Sequence, residues 1–203
     1  MLDRLNSYSG RAMARPEYHA DLKREYAARS GVFWKLERAQ FFNEVGDSAW
    51  DAFKAGDWDR VLALFESDRE RVSWDVASEE QRGVEMRRLR IVEHPPSTYL
   101  RWEMHSHMVF AECGRPIRVL GAERVADLED DGALPELLIL GEDVLYQVRY
   151  TEDMTPNGAV RADDRATVRA AAALVADLYE RAEPLADYFR REIAPLGPPS
   201  YPG

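Results

Sequence analysis

The stretch from Met86 to Leu120, MRRLRIVEHPPSTYLRWEMHSHMVFAECGRPIRVL, constrains the fold of this chain most. Two short runs rich in aliphatic side chains, Leu89–Val92 and Ile117–Leu120, bracket a segment with helical spacing. In the first run Arg88, Arg90 and Val92 alternate with Leu89 and Ile91, the pattern of a strand with one buried face. Pro95-Pro96 ends it. Ser97 is a good helix N-cap, because its hydroxyl can accept from a free backbone N–H of the first turn. Leu100, Met104, Met108 and Ala111 then recur on one face. Gly114 closes the helix and Pro116 leads into the second strand. The result is a strand–helix–strand unit, which lays a helix across one face of a sheet.

The rest of the chain is read around that unit. Residues 1–15 are polar and predict a flexible arm. Pro16 suits the first turn of a helix, which carries Tyr18, Leu22, Tyr26 and Ala27 and stops at Ser30-Gly31. GVFWKLE, Gly31 to Glu37, fits a strand or the start of a helix, and periodicity cannot decide over so few residues. Asp47 to Arg71 is helical with a break at Gly56 and an N-cap at Asp57, and Arg71 to Gln81 reads as an acidic connector. Residues 16–85 are thus expected to be a mostly helical N-terminal layer. Beyond Leu120, Gly121 to Gly132 reads as a short helix or acidic loop. LPELLIL and Val144 to Tyr150 form a hairpin, and Thr151 to Gly158 reads as a loop on its Pro156-Asn157-Gly158 turn signal. A long helix follows, capped by Asp163 or Asp164 and broken near Pro184. Residues 194–203 are a proline-rich tail, expected to be extended or disordered. The fold class is α/β, with α+β as the alternative: a central mixed sheet of about four or five strands covered by helices. Residues 86–193 form its main unit, in one compact domain.

Composition excludes several function classes. With 203 residues and 45% hydrophobic content the chain can bury one full core. Its net charge of −10 suits it poorly to a phosphate backbone, so no direct nucleic-acid partner is expected. A single cysteine, Cys113, excludes an internal disulfide. No apolar run approaches the roughly 20 residues of a membrane span. The N-terminus lacks the apolar segment of a secretory signal. A soluble cytoplasmic protein without a membrane partner is the expectation.

Chemistry-bearing motifs are scarce. His105 and His107 stand two apart, so a helix turns them to different faces, and no HExxH or carboxylate pair is visible beside them; no metal site is expected. Asp127, Glu129, Asp130 and Asp131 lack the spacing of a calcium loop. Cys113 has no suitably placed base. There is no P-loop, GxGxxG or GxSxG, so no catalytic residue and no cofactor are assigned. One cluster stands out: Arg88, Arg90, Glu93, Tyr99, Arg101 and Glu103, around a strand end and a helix start. It fits recognition of a small anionic ligand or acidic partner by arginine forks and helix amides. It fits equally an ion-pair network that fixes helix against strand, the reading favoured here.

The same residues carry a resemblance. RRLRIVEHPPSTYLRWE resembles the signature of an uncharacterised actinomycete family, roughly ER-x-R-V-V-x-E-P-P-T-x-Y-x-R-F-E. Arg88, Arg90, Glu93, Pro95, Pro96, Tyr99, Arg101 and Glu103 fall on it, and Trp102 replaces the usual aromatic. The likeness runs from about residue 31 to 190. Leu137, Leu138 and Gly141 depart from the acidic run D-F-W-L-F-D common in its hairpin. Members typically sit beside WhiJ-type helix-turn-helix repressor genes. The second half also resembles one half of a phospholipase D-like domain, but the HxKxxxxD motif of the enzymes is absent: no histidine is followed two places on by lysine. The resemblance implies a non-enzymatic regulatory or ligand-sensing protein whose partner is a helix-turn-helix regulator, with homo-oligomers allowed. The alternative is an enzyme or effector acting on a small anionic substrate.

Overall fold

The computed structural model describes residues 10–201. In chain order the elements are β1 (Arg11–Met13), α1 (Arg15–Ala28), β2 (Gly31–Glu37), α2 (Ser48–Lys54), α3 (Trp58–Ser67), α4 (Arg69–Gln81), β3 (Val84–Val92), α5 (Thr98–Glu112), β4 (Ile117–Gly121), β5 (Leu137–Leu140), β6 (Val144–Tyr150), β7 (Pro156–Ala162), α6 (Arg165–Arg181), β8 (Glu183–Pro184) and α7 (Leu185–Tyr188). Asp47, Asp57, Ser97 and Asp164 each accept a backbone N–H at the start of a helix, satisfying a donor the helix itself cannot.

Among the described residues the strands form one eight-stranded sheet, in the order β1-β7-β6-β5-β2-β3-β4-β8. Strands β2, β3 and β4 run parallel and are joined by helical crossovers. Strands β5, β6 and β7 form an antiparallel meander, with β5 on β2. The four expected strands do share this sheet. Its width exceeds the expected four or five, for reasons that differ strand by strand. GVFWKLE is the central strand β2, so the segment 16–85 is not only a helical layer. The apparent loop at Pro156-Asn157-Gly158 opens β7: a proline at a strand's first residue forfeits no needed donor. Gly158 has φ of 102°, and a Cβ there would collide with the Met13 carbonyl oxygen of β1. The glycine thus marks a close strand approach. The expected arm contributes β1, with positions 1–9 outside the described residues. Glu183-Pro184 pairs with Arg118 and Val119 at the opposite edge. The connector after Arg71 is the helix α4.

The two faces of the sheet differ. On one, Trp34, Leu36, Leu89, Ile91, Leu137 and Ile139 pack under Val168, Ala171, Val175 and Leu178 of α6 in a dry core. On the other, α1 covers Phe33, Leu140 and Tyr146, and α5 covers Val92 and Val119 through Leu100 and Met104. Tyr99, Trp102 and Val109 of α5 join an aromatic cluster with Phe42, Trp50, Phe53 and Phe65. The tail joins this cluster: Pro199 is buried, and the Tyr201 ring meets Trp50 and Phe53 at 5.5 and 5.7 Å. It is docked, against the expectation of a loose end. No described helix is long and apolar enough to cross a membrane.

Candidate functional site

The site begins with strand register. In the parallel pair β2–β3, Lys35 stands opposite Arg88 and Glu37 opposite Arg90. Registered neighbours share a face of the sheet, so four charged side chains gather under α5. Along α5, Tyr99, Glu103 and His107 recur every four residues and share one side of the helix. Strand and helix therefore bring their charges together between two apolar layers.

Arg90 is fully buried. Its Nε donates to Glu103 Oε2 at 2.8 Å, and its Nη1 reaches the carbonyl oxygens of Glu37 and Ile91 at 3.3 Å each. The expected one-faced strand is thus buried on both faces, with an arginine on the second. Arg88 Nη1 lies 2.7 Å from His107 Nε2 and 3.3 Å from Glu37 Oε2. Glu37 Oε1 pairs with Lys35 Nζ at 2.6 Å. The Tyr99 hydroxyl donates to Glu44 at 2.6 Å and lies 3.1 Å from Glu103 Oε1. Lys35, Glu37, Glu44, Arg88, Glu103 and His107 line a cleft of about 300 Å³, with Arg90 and Tyr99 behind its wall.

Protonation follows from the neighbours. A guanidinium is all donor, so the 2.7 Å contact makes His107 Nε2 an acceptor and places the ring proton on Nδ1. Burial, reinforced by the Arg88 charge, holds the imidazole below its ordinary value and keeps it neutral. His107 Nε2 also lies 3.6 Å from Glu37 Oε2, but it cannot accept from Arg88 and donate to Glu37 at once. The shorter contact decides, and Glu37 Oε2 is left buried with no aligned donor. Burial works against the Glu37 charge. The Arg88 and Lys35 cations outweigh it and hold the carboxyl well below the usual range. Burial raises the carboxyl of Glu44 and, with Glu103 and Glu44 adding to it, the phenol of Tyr99.

Of the six residues singled out from the sequence, the fold brings four together: Arg88, Arg90, Tyr99 and Glu103. Glu93 lies apart, half exposed, in an ion pair with Arg38 at 2.8 Å. Arg101 points the other way and donates to the carbonyl oxygens of Leu196 and Gly197 at 3.0 and 2.9 Å. Arg90 and Arg101 therefore do not form one anion-binding concavity. Sequence reasoning missed Lys35, Glu37, Glu44 and His107. The i, i+4 spacing of Glu103 and His107 was the available signal for one of them. His105 does turn elsewhere, its ring 4.9 Å from those of Trp58 and Phe189. The carboxylate pair that seemed lacking beside His107 exists, because Glu37 arrives from a distant strand. One ligating atom each of Glu37, Glu103 and His107 lie within 4.8 Å of one another.

A two-faced mixed sheet with one apolar face, and a charged cluster sealed under a helix on the other, defines an α/β domain with a buried polar site. The chain belongs to a family described as a domain of unknown function, DUF6879, whose model matches residues 20–190. That span contains every residue of the site. No curated protein matches the chain.

Proposed function

We propose that the protein is a non-enzymatic regulatory module that senses a small polar ligand in this cleft and acts with a helix-turn-helix transcriptional repressor. One observation carries the sensing half: the buried Glu37 Oε2, among convergent polar groups, has no aligned donor. An unsatisfied buried polar atom costs about 1–3 kcal/mol, more when charged, and a guest with a positive end offsets that cost. Charge narrows the guest. Glu37, Glu44, Asp47 and Glu103 line the cleft against the cations Lys35 and Arg88, and Arg90 has no surface to offer. This balance favours a ligand with a cationic end over the small anion that the arginine run first implied.

The repressor half rests on the resemblance of RRLRIVEHPPSTYLRWE to proteins encoded beside such regulators. A net charge of −10 supports a protein partner over nucleic acid. The phospholipase D-like likeness of residues 86–193 enters only as a non-catalytic scaffold. The test is size-exclusion chromatography of the full chain with the helix-turn-helix protein encoded nearest to it, followed by an operator-binding assay of that protein. Co-elution and altered operator occupancy are expected. Separate elution with unchanged occupancy would overturn the regulatory reading.

A further inference from the structure

We infer that Glu37, Glu103 and His107 bind one divalent transition-metal ion, and that Arg88 is the resident cation this ion displaces. The inference rests on reading the cleft as the sensing site, and it names the ligand class. The three residues come from different elements, β2 and α5, and all are buried. Their ligating atoms lie within 4.8 Å of one another. Donors bonded to one ion at about 2.0–2.2 Å stand roughly 3–4 Å apart, so small side-chain rotations close the site. Two carboxylates and an imidazole suit zinc, manganese or ferrous iron better than calcium or magnesium.

Each carboxylate is already oriented from behind. Lys35 holds Oε1 of Glu37, and Arg90 holds Oε2 of Glu103. Such outer partners fix a ligand's direction; the other oxygen of Glu103, Oε1, has the Tyr99 hydroxyl 3.1 Å away, with Glu44 as that hydroxyl's nearer acceptor. The other oxygen of Glu37, Oε2, is the one without an aligned donor. Nε2 of His107 lies on the same side, 3.6 Å from that oxygen. What both atoms face is one nitrogen, Nη1 of Arg88, at 2.7 and 3.3 Å. A monocation thus stands where the dication would sit. Unlike Arg90, Arg88 is partly exposed, with a fifth of its side chain open to solvent, and it lines the cleft. It can swing toward Glu44 and Asp47, which line the same cleft. Metal binding would then move a guanidinium to the cleft mouth, a change of surface charge that a partner can read.

The experiment is isothermal titration of the chelator-treated full chain with zinc chloride and with manganese chloride. One equivalent is expected to bind. His107→Gln and Glu37→Gln should each weaken binding at least tenfold, a loss already reached when only outer partners are removed. Arg88→Gln should tighten it, because the competing cation is gone, and this sign separates the site from adventitious binding to surface carboxylates. Glu103→Gln is avoided because it strands Arg90. Circular dichroism confirms folding, and either ligand variant that folds suffices. Undiminished affinity in a folded His107→Gln or Glu37→Gln, weaker binding in Arg88→Gln, or no binding to the parent chain would overturn the proposal. If metal fails but a cationic amine still raises the melting temperature, the sensing cleft survives without the metal. If metal binds but the repressor does not co-elute, the regulatory reading fails and the site stands.

Discussion

Replacing Arg90 by methionine tests whether the buried charge pair is structural. The substitution keeps most of the side-chain volume and removes the cation that sits 2.8 Å from Glu103 Oε2. Both side chains are buried, Arg90 completely, so solvent cannot screen what is left. Stranding a buried carboxylate in this way costs about 3–5 kcal/mol. Protonation caps the cost, because neutralising an ordinary carboxylate at pH 7 takes about 3.7 kcal/mol. The two hydrogen bonds to the carbonyls of Glu37 and Ile91 are long, at 3.3 Å, and add little. A loss of about 3–4 kcal/mol is therefore expected at pH 7, or roughly 6–16 °C in melting temperature for a chain of this size. At pH 5 protonation takes only about 1 kcal/mol, so the penalty should shrink. The double variant Arg90→Met/Glu103→Leu removes both charges and should recover to within about 1 kcal/mol of the parent, or exceed it. Urea denaturation of the four proteins of this cycle, at both pH values, gives every number needed. A loss below about 1 kcal/mol for Arg90→Met, or no recovery in the double variant, would refute the reasoning.

Two further outcomes follow from individual residues and a third from the net charge. Glu136 accepts the backbone N–H groups of Arg38 and Ala39 at 2.8 and 2.6 Å, yet burial pushes its carboxyl up to about 7. The folded state then holds a proton that the unfolded state has released, so stability should fall by about 3 kcal/mol as pH rises from about 4.5 to 7; urea melts across that window should show a slope that Glu136→Gln removes. Arg101→Ala should cost only about 1 kcal/mol, because it loses hydrogen bonds at the surface, but it should free the tail beyond Gly197, read as faster carboxypeptidase trimming. A mobility-shift assay at physiological salt should show no sub-micromolar binding of the isolated chain to duplex DNA, given its net charge of −10.

What was legible in the sequence was local. The caps at Asp57 and Ser97 are side chains bonding three residues ahead, and the structure has both bonds. The stripe Leu100, Met104, Met108 and Ala111 does pack on the sheet beneath α5. The short strands escaped because their stability is borrowed. Arg11–Met13 and Glu183-Pro184 are strands only because β7 and β4 offer partners. The same holds for Tyr201, whose ring finds Trp50 and Phe53 only once α2 is folded.

The site was half legible, and the reason is the parallel pairing. Arg88, Arg90, Tyr99 and Glu103 are close in sequence, so a motif collects them. Lys35 and Glu37 lie some fifty positions earlier, and only the register that sets Lys35 against Arg88 and Glu37 against Arg90 brings them in. In GVFWKLE the two charges alternate with Trp34 and Leu36, over too few residues for periodicity to decide between strand and helix or to assign the charged face. The structure covers that face with α5, and Glu37 ends nine-tenths buried. A carboxylate is not sealed in this way without cations beside it. Arg88 and Arg90 of β3, whose cluster fits either an anion site or the ion-pair network favoured from the sequence, are therefore taken up by internal carboxylates. Arg90 answers Glu103 and Arg88 answers Glu37, and of the two only Arg88 has both the exposure and the neighbours to give up its place.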